Sequence, residues 1–154
     1  MKHRWTLVAL ALVAASAFAL SVQAGRWWTI GEVAIGPFGS RSPFGGPGNL
    51  SWVGGTARWE RFGAATGAAG LIAMFVLVVL AGGLAANRAP RLAAKTALVA
   101  IATAAAVAIG FVVSRPDNGL PYVLDRGVAW FAAAVVIGTI SAVAVLRAPS
   151  GRAG

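Results

Sequence analysis

The stretch ALSVQAGRWW, residues 19–28, decides how many helices this chain keeps. It closes an apolar run, so it reads as the far end of a membrane helix. It also carries Val22-Gln23-Ala24 before Gly25, a small-residue pattern that a signal peptidase cuts. MKHR at the start and the apolar Thr6–Leu20 complete the signal-peptide grammar. Trp5–Ala24 is equally long enough to span, with Trp5 at one interface and Trp27 and Trp28 at the other. The residues leave both readings open. One gives four membrane helices, the other three.

The rest of the chain belongs to lipid. Of 154 residues, 58% are apolar and 11% charged, against about 25% charged in soluble domains. Four apolar runs reach the roughly 20 residues that a bilayer core of about 30 Å demands. They are Trp5–Ala24, Phe62–Ala86, Thr96–Ser114 and Gly127–Leu146. Their interiors hold no charged residue and no Pro. They must be helical, because lipid satisfies no unpaired backbone group. The alternating ten-residue strands of a membrane barrel are missing. The expected fold is therefore an all-α membrane protein of four antiparallel helices, a single domain over residues 1–154.

Charge sets the expected orientation. With both termini inside, Lys2, Arg4, Arg88, Arg91, Lys95, Arg147 and Arg152 face the cytoplasm with no acid among them. Arg26, Arg41, Arg58, Arg61, Arg115 and Arg126 lie outside, offset by Glu32, Glu60, Asp117 and Asp125. Basic density peaks in the short loop 87–95, and short loops matter most to the rule. Anionic lipid is attraction enough for that loop. The abundance of Ala, Gly, Val and Arg points to a GC-rich bacterium, hence to its cytoplasmic membrane. The net charge of +9 is scattered between apolar runs and forms no stripe for nucleic acid.

Residues 25–61 form a long outer loop, and 148–154 a short cytoplasmic tail. The loop centre, GPFGSRSPFGGPG at 36–48, repeats Pro-Phe-Gly and favours turns. RWWTIGEVAI (26–35) and LSWVGGTARW (50–59) are rich in β-branched and aromatic residues. Both read as strands of a small antiparallel sheet with the Gly-rich centre as turn. A loose loop whose indoles rest on headgroups is the plainer alternative.

The order Trp28, then Asn49-Leu50-Ser51-Trp52, then Arg58 or Arg61 before the second helix, resembles the first-loop signature of the claudin/PMP22/EMP four-transmembrane-helix superfamily. The long first and short second loops resemble its plan, and so does GVAWFAAAVVIG (127–138) in the last helix. Ser51 interrupts the signature's Leu-Trp pair, and the two loop cysteines typical of claudins are absent. The resemblance implies a retained first helix, a loop sheet extending from the bundle, and a role in adhesion, barrier or partner contact.

Chemistry is sparse. No ionisable side chain sits at mid-bilayer, where proton relays and ion sites need one. His3 lies in the basic start, and one His without Cys makes no zinc site. Glu32, Glu60, Asp117 and Asp125 have no calcium-loop spacing. No catalytic residue and no cofactor are implied. The expected role is contact without enzymatic activity, through Trp27, Trp28, Asn49, Leu50, Trp52 and Trp59, because buried indoles dominate interfaces. Arg58 or Arg61 pairing with Asp117 or Asp125 would anchor the large loop to the small one. Gly63, Gly67, Gly70 and Gly138 are expected to bring helices close, within the bundle or in a homo-oligomer. A small transporter, channel or accessory subunit is the alternative, with Thr66, Thr96, Thr103, Thr139 and Ser141 as a wet path.

Overall fold

The computed structural model describes residues 2–24, 26–41, 50–51, 56–115, 119 and 121–148. Four helices dominate it: α1 (Lys2–Ala19), α2 (Arg58–Ala86), α3 (Pro90–Val113) and α4 (Arg126–Arg147). A π-helical turn, Leu20–Ala24, prolongs α1. All four helices are long and apolar enough to cross a membrane. They form a ring in chain order, closed by contact between α1 and α4.

The ring is small inside and large outside. Ala11 and Ala14 of α1, Ala73 of α2, Ala97 and Ala104 of α3, and Ala134 of α4 have no exposure at all. Phe75, Val99, Ile109 and Val136 stand on the surface, Phe75 at 64% exposure. Water would penalise that arrangement, whereas lipid tails accept it and small inner residues let helix backbones approach.

The helices run further than the apolar runs. α2 begins at Arg58 rather than Phe62 and α3 at Pro90 rather than Thr96. Charged residues at these ends remain helical, since long basic side chains reach the interface. Glu60 Oε2 accepts the Ala57 N–H at 2.9 Å, half of a capping box, and its charge suits the helix start. α2 closes with Asn87 in the left-handed region (φ 54°), while Arg88 N donates to Gly83 O. Pro90 then opens α3 at a position needing no N–H donor.

Five strands make one antiparallel sheet: β1 (Trp28–Ile30), β2 (Val33–Gly36), β3 (Gly39–Arg41), β4 (Leu50–Ser51) and β5 (Tyr122–Leu124), in the order β4-β3-β2-β1-β5. The flank 26–35 is thus a hairpin, not one strand. Gly31, at φ 56°, turns the chain with Glu32 so that Ile30 faces Val33 and Trp28 faces Ile35. Of the flank 50–59, only Leu50 and Ser51 are strand, while Arg58 and Trp59 already belong to α2. The fifth strand comes from the second loop, with Trp28 opposite Leu124 and Ile30 opposite Tyr122. The loops before α2 and before α4 therefore join in one sheet.

Candidate functional site

The sheet is fastened to the bundle where α1 ends and α4 begins. Trp27 and Trp28 are each only 1% exposed. The Trp27 ring lies 5.0 Å from Phe131 of α4 and 5.6 Å from Phe111 of α3. Trp28 stacks on Phe111 at 4.5 Å, and Phe18 of α1 meets Phe131 edge-on at 5.1 Å. Three helices and β1 share this cluster, whose tilted and edge-on pairs suit the ring quadrupoles.

Main-chain bonds close around the rings. Trp27 N donates to Ile35 O (2.7 Å), Asp125 N to Trp27 O (2.9 Å) and Gly127 N to Arg26 O (2.8 Å). Ser21 Oγ donates to Gly127 O at 2.8 Å, and Trp27 Nε1 to Ser21 O at 3.2 Å. Gly127 has to be glycine, because a Cβ there would lie 2.5 Å from Arg26 O and 2.7 Å from Trp27 Cδ1. Arg26 Nε pairs with Asp125 Oδ2 at 3.2 Å, while Asp125 Oδ1 accepts Arg126 N at the head of α4.

These placements differ from several sequence expectations. Trp27 and Trp28 face inward, because apolar rings gain more from the aromatic cluster than from headgroups. Their contact surface is internal. Trp59 is half-buried and packs against the core. Leu50 lies in β4, opposite Ser40 of β3. Asn49, Trp52 and Asp117 lie outside the described residues. Asp125 pairs with Arg26, its neighbour across the β1–β5 seam, and not with Arg58 or Arg61. Arg58 instead lies over the Phe62 ring (5.7 Å), and Arg61 is exposed.

The glycines split in role. Gly138 faces Ile101, Leu77 and Ala14, where the other three helices converge. Gly70 receives Val22 of the π-helical turn, and Gly67 receives the Phe38 ring from the turn between β2 and β3. Gly63 is buried in α2. Phe18, Ser21, Phe111, Gly127 and Phe131 escape the sequence reading. Inside apolar runs, hydropathy does not separate an inward ring from a lipid-facing one.

The hydroxyls make no row. Thr66 Oγ1 donates to Phe62 O and Ser141 Oγ to Leu7 O. Thr96 donates to Leu92 O on an exposed face, Thr103 is exposed and Thr139 half-buried. A groove of about 370 Å³ runs between α3 and α4 below Trp27, lined by Ala108, Val112, Val128, Ala132 and other apolar side chains. Among the described residues no group of three metal-ligating side chains comes together. Glu60 caps α2 and Asp125 pairs with Arg26, so these two acids serve separate tasks.

The chain matches no protein-family model, no curated protein and no solved structure.

Proposed function

We propose that this chain is a four-span membrane protein that acts by contact, with the sheet as its docking surface and no chemistry of its own. The observation carrying this reading is the aromatic clasp, which seats the sheet on α1, α3 and α4. A loop sheet is also what the claudin-like resemblance implies. The partner-facing residues shift from Trp27 and Trp28 to the edge strand β5. Tyr122, Val123 and Leu124 are all exposed there, Val123 at 67%. An apolar edge strand is a template for another chain. β4, the opposite edge strand, holds Leu50, and the expected contacts Asn49 and Trp52 flank it in sequence.

The helices alternate in direction, and the sheet lies outside the cell. The basic residues of 87–95 gather at the opposite end, where Arg91 Nη2 donates to Ala148 O at the close of α4. Positive charge of that density belongs to the cytoplasmic side of a bacterial membrane. The transport alternative has less support, because the buried hydroxyls Ser21, Thr66 and Ser141 are turned onto backbone carbonyls.

A photo-crosslinking residue at Val123 tests the reading. It is expected to capture one discrete protein, another copy or a different chain, and the capture is expected to vanish when Tyr122 and Leu124 become Ser. A Val123 probe that captures only lipid, while a probe at lipid-facing Phe75 gives the same pattern, would sink it.

A further inference from the structure

The motif Val22-Gln23-Ala24 has the residue types of a cleavage site, yet the fold treats it as structure. Leu20–Ala24 is a helical turn, whereas peptide recognition by β-augmentation takes the chain extended. Val22, whose small side chain the enzyme must read two residues before Ala24, is only 3% exposed. It fills the hollow left by Gly70, where a Cβ would lie 2.7 Å from Val22 Cγ2. Both flanks are tied. Ser21 is fully buried and held by Gly127 O, while Trp27 Nε1 grips Ser21 O. Gln23 is exposed, and Gly25 lies outside the described residues.

We propose that residues 22–24 form a dormant signal-peptidase site. Docking of the first helix onto Gly70 of α2 and Gly127 of α4 silences it. The chemistry withheld is hydrolysis of the Ala24–Gly25 amide. Water adds its hydroxyl to the Ala24 carbonyl carbon and a proton goes to the Gly25 nitrogen. Only an undocked chain presents the extended segment. The first helix is therefore retained through tertiary fit, not through the grammar of its own sequence. This inference rests on the four-span reading above.

The test is intact-mass measurement of the full chain, C-terminally tagged and purified from bacterial membranes. The wild type is expected to keep residues 1–24. Gly70→Leu fills the hollow, and most of that chain is expected to lose everything before Gly25. Adding Ala24→Leu to Gly70→Leu removes the small side chain at the cut and is expected to restore full length. Val22→Cys reports docking separately, since the chain has no other cysteine. Its thiol is expected to resist a membrane-permeant maleimide in the wild-type background and to react in the uncut Gly70→Leu/Ala24→Leu background. A wild type that begins at Gly25 overturns the proposal. So does an inserted Gly70→Leu chain whose Val22→Cys thiol labels yet which stays uncut, or one that Ala24→Leu does not rescue. A Val22→Cys thiol that stays unlabelled in the full-length Gly70→Leu/Ala24→Leu chain overturns the socket. A wild-type chain recovered outside the membrane overturns the four-span reading, and this one with it.

Discussion

The hydroxyl of Ser21 donates to the carbonyl of Gly127 across 106 residues of sequence. Gly127 in turn donates its N–H to Arg26 O. One glycine at the head of α4 therefore holds the chain on both sides of the first turn after α1. A Cβ at Gly127 meets backbone, which does not swing aside like a side-chain end. Gly127→Ala is expected to cost about 1–3 kcal/mol or more, as overpacking does. Gly82 has open space around it, so Gly82→Ala is expected to stabilise by up to about 1 kcal/mol through helix propensity. Thermal unfolding of both variants in one detergent checks the pair. Equal shifts would remove Gly127 from its special place.

The two neighbouring indoles are expected to respond differently to loss of their N–H. Trp27 Nε1 has a partner in Ser21 O, whereas Trp28 Nε1 is buried without one among the described residues. An unpaired buried donor costs about 1–3 kcal/mol, so its removal returns part of what the smaller ring loses. Trp28→Phe is expected to be milder than Trp27→Phe. Either change to Ala is expected to cost about 3–5 kcal/mol. Denaturation midpoints in mixed micelles decide the order, and a milder Trp27→Phe reverses the assignment.

The Arg26–Asp125 pair is expected to contribute little by itself. Its Arg side chain is 50% exposed, and pairs of that kind give about 0–1 kcal/mol. Asp125→Ala also removes the acceptor for Arg126 N, a cap worth roughly 1 kcal/mol. A double-mutant cycle with Arg26→Gln is expected to show a coupling under about 1 kcal/mol that shrinks with added salt. A coupling that salt leaves unchanged contradicts this account.

Side placement is testable with single cysteines, since the chain has none. Cysteine at Glu32, in the exposed hairpin turn, is expected to react with an impermeant maleimide on intact cells. Cysteine at Arg88, in the exposed turn between α2 and α3, is expected to react only after lysis. The reverse pattern inverts the orientation.

The four helices were legible because lipid demands a long window without charge, and each window is plain in the sequence. Their ends were less so. Arg58, Arg61, Arg91 and Lys95 end the apolar count but not the hydrogen-bonding, so α2 and α3 start earlier than hydropathy shows. The sheet was half legible. Trp28–Ile30 and Val33–Gly36 carry β-rich residues, but Gly31 was needed to split them. Tyr122–Leu124 is three residues long, with no period to read, and becomes a strand only because β1 offers it an edge. The clasp was hidden for a related reason. Phe18, Phe111 and Phe131 differ from outward Phe75 only in facing, which the partner helices decide.

Strand β1 sits between β2 and β5, yet its two neighbours are born far apart. The hairpin mate follows at once. The other is synthesised roughly ninety residues later, about 5–20 s of translation at bacterial and eukaryotic speeds. Throughout that interval the Trp28–Ile30 backbone carries an open hydrogen-bonding rim, and the ribosome has yet to deliver what seals it. A nascent chain stalled between Arg115 and Tyr122 would leave that rim bare.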